Sequence, residues 1–235
     1  YQQGTGFVFG ASISQNNFLG TGDRVSFGLN RSEYRDAYNF SFVDPYYTMD
    51  GVSRGYSLYY VKTDIEQDLP IASYAIDRLG GNVNFGYPIS ETQRLNFGLG
   101  YENTRIYAGQ RSPLEVWEFV NYDLISNVED GALTQAENFN SYTLQGSWVS
   151  STLNRGVFAT DGVSQTLAAE VAIPESDLDY YKISYNSQVF FPISGPWTVR
   201  LRSDLGYGDG YGDESVLPFY KNYYVGGIGS VRGFD

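Results

Sequence analysis

Among 235 residues there is no cysteine and no histidine, and 15 basic residues against 27 acidic ones leave a formal charge of -12. This inventory excludes a disulfide framework, thiolate chemistry and most hydrolase or zinc sites, and it argues against nucleic acid, whose phosphates must be neutralised by Lys and Arg. The 22 Tyr, 15 Phe and 27 Gly favour strands joined by tight turns, and the only lysines, Lys62, Lys182 and Lys221, are too few to keep a soluble sheet's outer face in water.

Apolar and polar residues alternate along the whole chain, as expected of strands with one apolar face. In TGFVFGASIS, Phe7, Phe9, Ala11 and Ile13 oppose Gly6, Val8, Gly10 and Ser12. Val25, Phe27 and Leu29 form the next stripe, then Tyr38, Phe40 and Phe42, then Tyr56, Leu58 and Tyr60. Leu79, Val83, Phe85 and Tyr87 oppose Gly80, Asn82, Asn84 and Gly86, and Leu95, Phe97, Leu99 and Tyr101 follow. The later stripes are Tyr142, Leu144 and Trp148; Leu167, Ala169, Val171 and Ile173; Ile183, Tyr185, Val189 and Phe191; and Val199, Leu201, Leu205 and Tyr207. These predict about ten antiparallel strands of about nine to eleven residues, the length that crosses a bilayer at a tilt. No run approaches the roughly 18 apolar residues of a membrane helix. The apolar stripe then faces lipid, and Phe27, Phe40, Leu58, Phe97 and Leu144 are expected there, with Asn30, Ser41, Asn84 and Gln145 toward a wet lumen. Glu102, Glu170, Arg200, Arg202 and Asp204 are the candidate lumen charges. A soluble sandwich or lipocalin-like barrel is the competing reading, and it would carry shorter strands and more surface charge.

The links alternate in length, as short periplasmic turns and longer external loops do. Residues 16–23, 44–55, 88–94, 154–164 and 192–197 form the short set; 62–77, 103–140 and 208 onward form the long set. Asp-Gly at 50–51 and 161–162 predicts turns with positive φ. Phe18, Tyr46, Tyr47, Tyr87, Tyr101, Trp148, Tyr180, Tyr181, Trp197 and Tyr207 crowd the strand ends, where aromatic girdles meet lipid headgroups.

Sites of covalent chemistry are not expected. Glu175, Asp177 and Asp179, like Asp209, Asp213 and Glu214, lack calcium-loop spacing, so no metal and no cofactor is assigned. Ser203 and Asp204 are adjacent and point to opposite faces of a strand, so they make no catalytic pair. The last ten residues, GGIGSVRGFD, combine four glycines with one cation, Arg232. A loop of that composition allows close backbone approach to a wall.

DPYYTMDGVSRG, NRGVFATDGVS, GYGDGYG and PFYKNYYVGGIGSVRGF, in that order and on correctly spaced strands, resemble the barrel of the BamA-like outer-membrane assembly factors over nearly the whole chain. The resemblance implies that residues 1–235 are part of one larger barrel, of about 16 strands. It also implies that periplasmic POTRA domains and the closing strands lie outside this segment, which opens at Tyr1 without a leader. Val231, Arg232, Gly233 and Phe234 match the family's VRGF loop motif, which folds back into the lumen, where its arginine meets an acid of the wall. The implied work is folding and inserting β-barrel proteins in the bacterial outer membrane. Implied partners are unfolded outer-membrane clients, accessory lipoproteins, and outer-membrane lipid and lipopolysaccharide. A related translocation barrel and a passive diffusion channel are the alternatives.

Overall fold

The structure is a computed structural model, and it describes residues 8–32, 35–63, 74–108, 112–120, 135–195, 197–212 and 217–223. Ten strands run in chain order: β1 (Phe9–Asn16), β2 (Arg24–Arg31), β3 (Arg35–Asp44), β4 (Ser53–Thr63), β5 (Tyr74–Ser90), β6 (Gln93–Ala108), β7 (Gln135–Ser151), β8 (Gly162–Ala172), β9 (Tyr180–Ser194) and β10 (Trp197–Gly210). They form one sheet in which each strand is hydrogen-bonded to its neighbours in sequence, so the order along the sheet is the chain order. Every pairing is antiparallel. No helix of the described residues is long and apolar enough to span a membrane. Strands alone can cross, because a closed ladder satisfies every backbone N–H and C=O.

Register settles which residues share a face, since a slip of one residue would turn every side chain over. Phe27 pairs with Phe40 and Phe40 with Leu58, while Leu99 pairs with Leu144. Phe27, Phe40, Leu58, Phe97 and Leu144 are between 39% and 60% exposed, so among the described residues the apolar face is open. The opposite face carries Ser41, Asn84 and Gln145, which line a cavity of about 700 Å³ together with Ser57, Asn82 and Glu170.

At one end the links are tight. Asn17, with φ 58, and Leu19, with φ 51, close the first turn around a 3-10 segment, Phe18–Gly20. Gly51 and Gly162 take the positive φ that the Asp-Gly pairs predicted. Cross-strand rings mark the two ends of the apolar face. Tyr38 stacks on Tyr60 at 6.3 Å and Tyr101 meets Tyr142 at 5.2 Å toward the long links, whereas Phe42 meets Tyr56 at 6.1 Å toward the short ones.

Three expectations need correction. Strands β5, β6 and β7 have 17, 16 and 17 residues, well beyond the nine to eleven of a bilayer crossing. Their outer ends lie beyond the lipid-facing stripe, because an interior built there covers them. A short helix, α1 (Leu114–Phe119), falls in the expected loop and puts Val116 and Trp117 against Ile106, Ala108 and Phe139. Tyr180 is not a girdle residue. It is fully buried, since Tyr181 beside it takes the outer face and directs Tyr180 inward.

Candidate functional site

The segment following β10 returns to the inner face of the sheet. Leu217, Phe219 and Tyr220 pack on the interior formed by α1, β6 and β7, with Phe219 edge-on to Tyr74 at 5.2 Å and to Phe119 at 5.4 Å. A 3-10 turn, Phe219–Lys221, follows Pro218. Proline cannot donate a ladder hydrogen bond, and its fixed φ suits the start of this turn. Aromatic packing then carries Lys221 against the wall.

Lys221 Nζ lies 2.9 Å from Glu102 Oε1 on β6 and 3.7 Å from Glu170 Oε1 on β8. The side chains of Lys221 and Glu102 are only 15% and 10% exposed. Each acid is held independently. Tyr59 donates its hydroxyl to Glu102 Oε2, and Thr104 lies 3.4 Å from Oε1. Tyr180 donates to Glu170 Oε1 at 2.7 Å and Gln145 to Oε2 at 3.2 Å. A buried ammonium is tolerated only where carboxylates and further hydrogen bonds replace its water. Tyr180 and Tyr220 also offer ring faces to Nζ, at 5.4 and 5.9 Å. Burial pushes the Tyr220 phenol well above its ordinary range, with the Glu102 charge adding in the same direction, so it stays neutral.

Two glycines make the close approach possible. A Cβ at Gly80 would stand 2.5 Å from the Tyr59 ring carbon that bears the hydroxyl, and one at Gly206 would stand 2.8 Å from the Tyr223 ring. Tyr223 thus lies flat on β10, donating to the Ile183 carbonyl at 3.0 Å and sitting 4.4 Å from Lys182 Nζ. The arrangement fastens an external segment to three strands by charge, rings and backbone. Among the described residues no cluster of carboxylates has the geometry to hold a metal.

Of the expected lumen charges, Glu102 and Glu170 meet here. Arg200, Arg202 and Asp204 do not. Arg202 Nε pairs with Asp204 Oδ2 at 2.6 Å along one face of β10, with both side chains about half exposed. Arg200 borders a cavity of about 520 Å³ at the short-turn end, beside Phe158, Phe190 and Trp197. Val231, Arg232, Gly233 and Phe234 lie outside the described residues. Sequence reasoning missed Lys221, Tyr59 and Tyr180. The available signal was Lys221 itself, one of three lysines, set among Phe219, Tyr220 and Tyr223.

Residues 17–235 match the Omp85 superfamily domain. The chain belongs to the Omp85 superfamily. This Omp85 barrel segment is 33% identical over 236 aligned residues to the outer membrane protein assembly factor BamA of Neisseria meningitidis serogroup B (strain ATCC BAA-335 / MC58), covering 99% of this chain and 29% of that protein. It also superposes on the crystal structure of BamA from Haemophilus ducreyi lacking POTRA domains 1-3, with a TM-score of 0.83 and 28% identity, over 100% of this chain and 44% of that one. The ten strands are therefore part of an antiparallel outer-membrane barrel. The chain spans less than a third of its Neisseria relative.

Proposed function

We propose that this Omp85 segment is the central barrel of an outer-membrane assembly factor, which helps other β-barrel proteins fold and insert. The observation that carries the reading is its 33% identity, along 99% of the chain, to an outer membrane protein assembly factor. A client strand arriving from the periplasm has unpaired N–H and C=O groups that cannot enter hydrocarbon unmatched. An assembly barrel offers such a strand an edge to pair with and a disturbed lipid belt to cross. That work needs no covalent step, and we read the protein as a non-enzymatic factor. Its partners are unfolded outer-membrane clients, accessory lipoproteins, and the surrounding lipid and lipopolysaccharide.

Arg232 is read as a lumen residue within the VRGF motif, lying eleven residues past Lys221 in the same external connection. POTRA domains and closing strands complete the protein in this reading. The test is to place the full-length protein in liposomes and follow an unfolded client barrel as it becomes resistant to protease. Faster protection than in empty liposomes is expected. Large, steady single-channel currents without any acceleration would instead make it a diffusion channel.

A further inference from the structure

On the lipid-facing side, at the short-turn end, one cation lies apart from the lumen chemistry. Arg54 is the second residue of β4, and the next residue, Gly55, borders the lumen cavity, so Arg54 takes the outer face. Its cross-strand neighbours are Asp44 on β3 and Phe85 on β5. Tyr47, from the β3–β4 turn, folds over it with the guanidinium 3.9 Å from the ring centroid, and Tyr56 flanks it at 5.5 Å. Tyr47 also meets Phe85 at 6.2 Å, so the slot has aromatic walls.

The slot leaves the guanidinium short of acceptors. Asp44 Oδ2 is 3.6 Å from Nη2, an ion pair beyond hydrogen-bond reach. Asp44 Oδ1 accepts the Tyr46 backbone N–H at 3.1 Å. Arg54 Nε is buried with no partner. A cation whose Nε has no hydrogen-bond partner and whose Nη2 meets Asp44 only at ion-pair distance can still take an oxyanion on its Nη edge. Short turns of outer-membrane barrels face the periplasm, so an outward side chain beside one is set at the headgroup layer of the periplasmic leaflet.

We propose that Arg54 and Asp44 form a site for one zwitterionic phospholipid headgroup of the phosphatidylethanolamine type. The lipid phosphate accepts from the free Nη edge of Arg54, and its ammonium lies on Asp44 and the exposed ring of Tyr46. The cation and anion of the slot stand side by side, as they do in the headgroup. An anionic lipid would bring the phosphate but meet Asp44 with no ammonium, and a choline headgroup has no N–H to donate to it.

The experiment is native mass spectrometry of the full-length protein released from mixed bilayers of phosphatidylethanolamine, phosphatidylglycerol and phosphatidylcholine. Retention of phosphatidylethanolamine above both others is expected, falling roughly tenfold in Arg54→Gln. Asp44→Asn should shift the preference toward phosphatidylglycerol. Arg31→Gln is the control, because Arg31 pairs with Asp36 at 3.5 Å at the opposite end of the strands. Each variant is first checked for a folded barrel by its heat-dependent gel mobility, and Arg54→Met replaces Arg54→Gln if the latter does not fold. Equal retention in wild type and the Arg54 variant, or preference of the wild type for phosphatidylglycerol, would overturn the site.

Discussion

Lys221 has two carboxylates within 4 Å and little access to water, so its removal is the most informative single change in the lumen. Lys221→Met keeps most of the unbranched side chain and deletes the charge, leaving Glu102 and Glu170 without their shared cation. Breaking a buried pair from one side costs about 3 to 5 kcal/mol, and the partial exposure of Glu170 places this one near the lower figure. We expect faster protease cleavage after residue 217, with the barrel still folded. Cleavage unchanged from wild type would mean that the rings alone hold the segment. Gly80→Ala tests the same site from the wall. Its methyl would collide with Tyr59 and with the Tyr101 carbonyl, and the overpacking should cost about 1 to 3 kcal/mol and detach Tyr59 from Glu102. Denaturant titration of Gly80→Ala, with Tyr59→Phe for comparison, measures it.

Elements divide into those that cross the membrane and those that rise above it. In the crossing portion an outward position tolerates apolar groups only. Leu58→Arg should cost about 2 to 4 kcal/mol, and Ser57→Arg, on the lumen face, should cost less. Folding titrations into vesicles would compare them, and equal costs would contradict the assigned faces. Above the membrane, β5, β6 and β7 depend on α1. Trp117 is 8% exposed and packs in the same interior as Phe139, which lies 4.9 Å from Phe119. Trp117→Ala should remove about 3 kcal/mol of local stability. Because the loss is confined to the extension, it should appear as faster amide exchange at 104–108 and 139–143, with exchange in β2 and β3 unchanged.

At the scale of the molecule, the ten consecutive antiparallel strands form one sheet, which in the proposed function is an arc of a larger closed barrel. A segment fastened across β6, β8 and β10 on its inner face restricts how that arc flexes. In the proposed function this makes the external connection a mechanical part of the barrel rather than a surface appendage. The VRGF arginine is expected to act on the same connection. Arg232→Ala in the full-length protein should impair client insertion more than Arg232→Lys, with the lysine variant still below wild type, because an ammonium lacks the paired donors of a guanidinium. Wild-type insertion by both variants would make Arg232 a surface residue.

The strands, their faces and their order were legible in the sequence because a two-residue period is local. Phe27, Phe40 and Leu58 declare the lipid side from their own segments, and the lipid offers no alternative partner that could override them. Turn chemistry at Gly51 and Gly162 was equally local. The lumen site was not. Glu102 and Glu170 were visible as charges on a polar face, but their cation lies 119 and 51 residues away from them in a segment with no strand period. Only the return of 217–223 onto the wall, permitted by missing side chains at Gly80 and Gly206, brings the three together. The same holds for α1 and for Tyr180. Burial there depends on what covers the extended strands from outside their own sequence, and tertiary packing alone decides that.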